Sequence, residues 1–205
     1  MDKKRQKEKV NRRKEIMRIA TKLFADKGYH GSSLNEVAEQ MEMTKAALYY
    51  HIRSKEEILK EICDSVLDSA MKDWEQVSKS NLSLGDKLRW FIAENVKGCT
   101  EGQDVMAVLF ESSHALSPDA QANVRKQRKA FDQALEDVLE EGIKQGLFNI
   151  RDPKIAVFVI QGACNWTYQW YHQKGRLSPE EIANEIIYLL EKGYLPDDHK
   201  RTAPL

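Results

Sequence analysis

The chain has 205 residues, 41% hydrophobic and 31% charged, and its formal net charge at pH 7 is zero. This composition is that of a globular protein with enough apolar residues for a real core. The charged N-terminus excludes a secretory signal, and the longest apolar run, residues 155–163, is too short to cross a bilayer. The cysteines Cys63, Cys99 and Cys164 lie far apart, which argues against a disulfide framework or a zinc site. These features predict a cytoplasmic protein with no membrane partner and no metal.

The charge is unevenly distributed along the chain. Residues 1–60 hold 15 Lys and Arg against 9 Asp and Glu, a balance of +6, whereas the other 145 residues hold 17 against 23, a balance of −6. A basic N-terminal part on an acidic body indicates a polyanion as the partner of that part. A chance division of charge over solvated helices is the alternative interpretation.

Helical patterns cover the N-terminal part of the chain. Apolar residues three and four positions apart predict an amphipathic helix from about residue 16, and Gly28 ends it. Ser33 and Ser54 each begin a Ser-x-x-Glu capping box, which marks the start of a helix. Thr44 can cap a further helix between them. The predicted helices are therefore 16–28, 33–41, 44–51 and a long one that begins at Ser54.

Five more helices are predicted beyond Trp74. Three of them begin with proline at the first helical position, after Ser117, Asp152 and Ser178. No alternating strand pattern of useful length occurs, so the predicted fold class is all-α. The five predicted ranges are about 84–99, 104–114, 118–144, 153–174 and 179–192.

The second and third predicted helices are short and joined by a tight link, which is typical of a helix-turn-helix. In that motif the second helix enters the major groove of DNA. With Leu48 turned inward, a rotation of 100° per residue turns Ala46 and Tyr50 outward, flanked by Ala47 and Tyr49. Alanine permits close approach to base edges, and tyrosine hydroxyls can reach phosphates or bases. This explains why aromatic residues stand next to one another here, since they face a ligand and not a core.

The stretches GSSLNEVA at 31–38, MTKAALYYHI at 43–52 and RSKEEIL at 53–59 resemble the signature of the TetR family of transcriptional regulators. The match covers about 50 residues. It departs from the family at Glu42, where the family has glycine, and at Ile52, where the family usually has Phe. The resemblance implies a DNA-binding surface, with Thr44 as the helix cap. Its residues are Asn35, Thr44, Lys45, Ala46, Ala47, Tyr49, Tyr50, His51 and Lys55.

Two parts of this surface have a second interpretation. His51 either binds phosphate or packs against the scaffold. The first fourteen residues contain eight basic residues, and these form either a solvated tip or an arm that adds phosphate or minor-groove contacts. The eight are Lys3, Lys4, Arg5, Lys7, Lys9, Arg12, Arg13 and Lys14.

The C-terminal part, from Gly146-Leu-Phe through residues 162–171 to residues 175–183, resembles one branch of the same family. Regulators of that branch repress fatty-acid or steroid degradation and respond to acyl-CoA thioesters. The resemblance implies an effector of this kind, held between helices by apolar and basic residues. Arg125, Lys126, Arg128 and Lys129 form a basic cluster suited to coenzyme A phosphates at a pocket mouth, or a solvated helix face. The candidate effector residues are Met106, Phe110, Arg125, Arg128, Lys129, Phe131, Phe158 and Trp166, which otherwise close a solid core.

Apolar stripes on the last two predicted helices suggest a two-fold homodimer, or a cover for the core of one subunit. Their members are Phe158, Trp166 and Trp170, and Ile182, Ile186, Leu189 and Leu190. A homodimer would require a palindromic operator.

The predicted function is that of a DNA-binding repressor released by a small amphipathic effector, with an acyl-CoA as the candidate. Residues 1–54 are the predicted basic arm and helix-turn-helix domain, and residues 55–205 the predicted effector-binding and dimerisation domain. An enzyme is not expected, because the histidines are scattered and no phosphate loop or metal-ligand cluster occurs. The alternatives are an efflux regulator that responds to hydrophobic drugs and a DNA-binding protein without an effector.

Overall fold

The computed structural model describes residues 2–192, with side chains from residue 9 onward. Across these residues all regular elements are helices and no strand occurs, which confirms the predicted all-α class. His199 and the basic side chains of Lys3, Lys4, Arg5 and Lys7 lie outside the part that is described. The α-helices are α1 (Asp2–Gly31), α2 (Leu34–Gln40), α3 (Lys45–His51), α4 (Lys55–Ser78), α5 (Leu84–Glu101), α6 (Gln103–Ala107), α7 (Pro118–Lys144), α8 (Pro153–Asn165), α9 (Thr167–Trp170) and α10 (Pro179–Lys192).

The chain folds as two compact units. Among the described residues, the first consists of residues 2–76 and 102–133, and the second of residues 77–101 and 134–192. In the first unit α1 packs against α2, α3 and α6, and in the second α5 packs against α8 and α10. The predicted division between residues 54 and 55 is one of function, and it stays a prediction.

The core of the first unit follows the helical spacing of the sequence. Ile16, Ala20 and Phe24 on α1 are buried together with Leu48 of α3 and Ile58 of α4. Spacings of three and four residues place such side chains on one face of a helix, where they exclude water. The short helices of this unit are therefore held by tertiary packing.

One predicted helix, residues 104–114, is wrong as a single α-helix. After α6 the chain forms a π-helix at Val108–Ser112 and a 3₁₀ turn at Ser113–Ala115. The carbonyl oxygen of Leu109, inside the π-helix, accepts a hydrogen bond of 3.0 Å from Nη2 of Arg128. This bond joins residues 19 positions apart, so local helix signals do not report it.

The predicted helix 153–174 is also wrong in its length. α8 ends at Asn165, the four-residue helix α9 follows, and Tyr171 is extended with ψ of 136°. Thr167 is fully buried, and its hydroxyl donates a hydrogen bond of 2.7 Å to the carbonyl of Cys164. Bonds from a Ser or Thr hydroxyl to a preceding carbonyl compete with the helical pattern and bend helices. This bond lies at the break, although the buried Thr100 makes bonds of the same kind inside the continuous helix α5.

The second unit carries an exposed apolar face on α8 and α10, which we call the α8–α10 face. Phe158 is 54% exposed and Trp166 62% exposed, and Leu189 of α10 is 52% exposed. Ile182, by contrast, is buried. The larger members of both predicted stripes therefore do not cover the core of their own subunit. The members of this face are Ile155, Phe158, Val159, Trp166, Trp170, Tyr188, Leu189 and Leu190.

Candidate functional site

The turn between α2 and α3 has the geometry of a helix-turn-helix although its usual glycine is missing. Glu42 takes that place and adopts φ of 50°, in the left-handed region. Its N–H donates to the carbonyl of Glu39, and the N–H of Met43 donates to the carbonyl of Ala38, both at 3.0 Å. These bonds satisfy the last carbonyls of α2 and hold the strained residue in place.

The recognition helix α3 is capped and oriented by its own residues. Thr44 Oγ1 accepts a hydrogen bond of 3.2 Å from the N–H of Ala47, as a helix cap does. Leu48 and the following Ile52 are fully buried, and they fix which side of α3 faces the core. Five other side chains of the helix stay exposed: Lys45, Ala46, Ala47, Tyr49 and Tyr50.

The structure brings most of the predicted DNA-binding residues to the solvent. Tyr49 is 53% exposed and Tyr50 69% exposed, whereas a tyrosine that served the core would be covered. Asn35, on the exposed side of α2, is available in the same motif. The exposed residues of the predicted surface are Asn35, Thr44, Lys45, Ala46, Ala47, Tyr49 and Tyr50.

His51, at the end of α3, is partly covered. Its Nδ1 atom is buried and finds no hydrogen-bond partner among the described residues. Its ring stands edge-on to that of Tyr50 at 5.2 Å, and the Lys9 ammonium lies 4.6 Å from the centre of the Tyr50 ring. Burial, and then the positive charges of Lys9, Arg12 and Arg13, lower the pKa of His51. The imidazole is therefore held in its neutral form more firmly than in a free peptide.

Arg13 of α1 connects three helices, and sequence reasoning assigned it only to the basic arm. Its Nη1 donates to the backbone carbonyl of His51, and its Nη2 donates to Glu57, at 2.9 Å, and to Glu61. Glu57 also accepts a hydrogen bond of 2.7 Å from the N–H of Arg53. We call these residues the Arg13 network. It attaches the end of α3 to α1 and to the first turns of α4.

The second predicted capping box forms only in part. Ser54 Oγ accepts from the N–H of Glu57 at 3.0 Å, as predicted. The carboxylate of Glu57 turns to Arg53 and Arg13 and does not return to the N–H of Ser54. The box that begins at Ser33 forms completely. In the second box the Glu57 oxygen that would return to Ser54 accepts from the N–H of Arg53.

Lys55 is bound within the protein. Its ammonium donates to the carbonyl oxygens of Tyr29 and of Ser32, the latter at 2.6 Å, and it lies 4.3 Å from the centre of the Tyr29 ring. Burial lowers the pKa of this lysine. Its described contacts join the first turn of α4 to the end of α1.

The candidate effector residues fall into different environments. Met106 is buried in the first unit, and Phe110, Phe131 and Arg128 are half-buried there. The other three cations of the predicted cluster, Arg125, Lys126 and Lys129, are exposed. Phe158 and Trp166 belong to the α8–α10 face of the second unit.

A groove in the second unit was not predicted from the sequence. It has a volume of about 360 Å³ and lies between the segment that follows α9 and the side of α10. Trp170 and Leu189 of the α8–α10 face line it, together with Ile182 and Ile186. The groove depends on where the helix breaks after Asn165, which periodicity did not indicate.

The cysteines have no chemistry of their own at neutral pH. All three are buried and unpaired, and burial raises the pKa of Cys63 to about 11 and of Cys99 and Cys164 to about 12. Such thiols are protonated and are poor nucleophiles. Among the described residues no group of His, Cys, Asp and Glu could hold a metal ion. In that same range no helix is both long and apolar enough to span a bilayer.

Comparison with family models matches both parts of the chain. Residues 16–62 match the model described as bacterial regulatory proteins, tetR family. Residues 81–194, which are more than half of the chain, match the tetracyclin repressor-like C-terminal domain.

Similar proteins share nearly the whole length of the chain. The transcriptional repressor KstR2 of Mycolicibacterium smegmatis is 23% identical, over 90% of this chain and 91% of the repressor. A TetR/AcrR-family regulator from Thermobifida fusca is 31% identical, with a TM-score of 0.72, over 91% of this chain and 100% of that structure. AibR, in its complex with isovaleryl coenzyme A and operator DNA, is 28% identical, with a TM-score of 0.78. The match covers 87% of this chain and 97% of the AibR chain. The chain belongs to the TetR family of bacterial transcriptional regulators.

Proposed function

We propose that the protein is a homodimeric repressor that binds a palindromic operator and leaves it when a small amphipathic effector of the acyl-CoA class binds. The exposed face of the capped helix α3 carries this proposal, because its tyrosines have no role in the core. KstR2 is a repressor, and AibR binds an acyl-CoA and operator DNA, which supports the rest. The proposed place of action is the cytoplasm, and no catalytic activity is proposed.

On DNA, α3 is proposed to enter the major groove. Ala46 and Ala47 would meet base edges or thymine methyls, and Lys45, Tyr49 and Tyr50 would reach bases or phosphates. Asn35 would contact the backbone from α2. Lys55 has one N–H beyond the two that its carbonyl partners occupy, and that N–H is proposed to reach a phosphate.

The α8–α10 face is proposed to form the dimer interface. Large exposed apolar side chains gathered on neighbouring helices are typical of a protein–protein contact. A two-fold dimer would place two α3 helices about 34 Å apart or a multiple of that distance, which matches a palindromic site. The groove beside α10 is continuous with this face, since Trp170 and Leu189 belong to both.

Release from DNA requires that the effector prefer the released state. A hundredfold loss of occupancy corresponds to about 3 kcal/mol of preferential binding. α4 is the proposed route, because it follows the recognition helix and its first turn is bound to α7. Glu56 of α4 accepts a hydrogen bond of 2.8 Å from the N–H of Ser117, which precedes α7. Residues 1–54 would thus read DNA, and residues 55–205 would bind the effector and form the dimer.

The recognition helix can be tested by removing single side chains. We expect Tyr49→Ala and Lys45→Ala each to weaken operator binding by about 1–3 kcal/mol, because each removes a contact to a base or a desolvated phosphate. Fluorescence anisotropy with a footprinted operator measures the loss. Tyr49→Phe removes only the hydroxyl, so it distinguishes the contribution of the hydroxyl from that of the ring. Lys144→Ala, at an exposed position of α7, is the control for the loss of one positive charge. Unchanged affinity of both alanine variants would refute the assignment of α3.

The Arg13 network predicts different behaviour of two adjacent arginines. Arg13→Gln should lower operator affinity by about tenfold, because it frees the carbonyl end of α3 and leaves two carboxylates without their cation. Arg12→Gln loses the same charge but only an exposed ion pair with Glu15. Operator titrations of both variants at two salt concentrations separate geometry from charge. Equal losses that vanish together at high salt would mean that Arg13 acts through its charge alone.

The interface can be tested by placing a charge on it. Phe158→Glu should give a monomer, because dimerisation would bury an unpaired carboxylate, whereas the exposed side chain leaves the subunit core intact. Leu147→Glu changes another exposed apolar residue, outside the α8–α10 face, and should stay dimeric. Sedimentation velocity at micromolar protein measures the mass. A monomeric wild-type protein, or a dimeric Phe158→Glu protein, would contradict the proposed interface.

The effector class can be tested on the protein–operator complex. A panel of acyl-CoA thioesters of increasing chain length should release DNA with an optimum at one length, since the acyl chain must fit an apolar site of limited size. Coenzyme A alone is the matched control. Release by a hydrophobic drug but by none of the thioesters would favour the efflux regulator. Release by nothing tested would favour a DNA-binding protein without an effector.

A further inference from the structure

Arg128 differs from the three other cations of its cluster on α7. Arg125, Lys126 and Lys129 are exposed, whereas Arg128 is half-buried and its guanidinium is bonded to Leu109 in the first unit. Its Nη2 donates to the carbonyl of Leu109, but its Nε is buried and has no hydrogen-bond partner among the described residues. The predicted basic cluster is therefore divided into a solvated group and one inward guanidinium.

An inward guanidinium without a carboxylate is unfavourable unless something else compensates for it. Within residues 9–192 no carboxylate lies within ion-pair distance of Arg128. Burial is the main cause that lowers the pKa of Arg128, and the electrostatic effects of Cys63 and Asp132 oppose it. Arginine remains charged in proteins, so the cost cannot be avoided by loss of the proton. A buried N–H that stays unsatisfied requires a reason, and binding of an anion is a sufficient one.

The surroundings of Arg128 suit an anion with an apolar part. The guanidinium carbon lies 5.1 Å from the centre of the Phe110 ring, and Met106 and Leu109 are buried in the same unit. Leu109 and Phe110 belong to the π-helix Val108–Ser112, and π-helical turns occur often at functional sites. The bond to the Leu109 carbonyl fixes the guanidinium, so that little side-chain freedom remains to be lost when a ligand binds.

We infer that Arg128 binds the anionic group of the effector, a carboxylate or phosphate oxygen, through its buried Nε, beside the ring of Phe110. This inference rests on the proposed function and names the chemistry of the effector. The anion is recognised inside the first unit, and Arg125, Lys126 and Lys129 have no part in it.

The position of Arg128 also connects the anion to the DNA-binding part. The N–H of Ser117 donates to Glu56, Asn123 donates to Asp64 at 3.1 Å, and Gln127 donates to Asp68 at 2.9 Å. α7 and the residue before it are thus bonded to α4 at three successive places. A ligand that draws Arg128 toward itself acts on the helix that follows α3.

The test compares Arg128→Met with Arg125→Met, which removes the same charge from an exposed position of the same helix. The probes are decanoyl-CoA, decanoate and S-decanoyl-pantetheine, the last of which carries the thioester without phosphates. Melting temperature of the free protein and release of a labelled operator are measured for each probe.

Arg128→Met should melt at the wild-type temperature or above it, because a half-buried charge without an ion pair is removed, and it should bind operator normally. It should require about tenfold more of the anionic probe for the same melting shift and the same release, since a charge-assisted bond is lost. Arg125→Met should respond as the wild type does. If Arg128→Met loses its response to decanoyl-CoA alone, the bound group is a phosphate. If it loses its response to decanoate alone, the bound group is a carboxylate.

Other outcomes overturn the inference. If Arg128→Met melts well below Arg125→Met, the arginine is structural, whatever the probes do. If an anionic probe releases operator from wild type and Arg128→Met alike, or if only the uncharged probe acts, the proposed release stands and the inference fails. If no probe shifts the melting temperature or releases operator, the inference fails, while the acyl-CoA class is decided by the panel of chain lengths and DNA binding by the variants at Tyr49.

Discussion

The first turn of α4 holds the DNA-binding part of the chain together through two adjacent carboxylates. Glu57 pairs with Arg13 of α1, which also donates to the carbonyl of His51 at the end of α3. Glu56 accepts from the N–H of Ser117, at the start of α7. The orientation of α3 therefore depends on Arg13 of α1, which donates both to the end of α3 and to carboxylates of α4. The bonds of Arg13 are partly buried and charge-assisted, so they are stronger than exposed ion pairs and fix geometry as well as contributing stability.

The helices α2 and α3 have seven residues each, and isolated helices of that length are unstable in water. Their caps and their buried residues supply the stability that such short helices lack on their own. Glu42 is a non-glycine residue in the left-handed region, which costs about 1–2 kcal/mol of stability. The same caps and buried residues offset this cost. The motif thus tolerates the loss of the family glycine because the bonds of Glu42 and Met43 to the end of α2 remain.

Aromatic side chains at helical spacing have three different surroundings in this protein. Phe24 and Phe91 are buried in the cores of the first and second units. Tyr49 and Tyr50 stand on α3 in solvent, where the proposed partner is DNA, and Trp166 belongs to the α8–α10 face, where the proposed partner is a second subunit. Periodicity groups such residues on one side of a helix, but it does not identify what covers that side. Burial in the tertiary structure makes the distinction. A helix face that the chain itself does not bury is available to a partner.

The sequence by itself determined where most helices begin, and it identified the DNA-binding motif. Caps at Ser33 and Thr44 and the prolines that open α7, α8 and α10 act within one turn, so the local sequence is enough to predict them. Only the tertiary structure decided that Arg128 turns inward, that Lys55 binds two carbonyls at the end of α1, and that the helices predicted over 104–114 and 153–174 are interrupted. The bonds of Arg128 to the carbonyl of Leu109 and of Lys55 to the carbonyl of Ser32 join residues that are distant in the chain. Local propensity cannot report such contacts, because the partner is absent from the window of residues in which propensity acts.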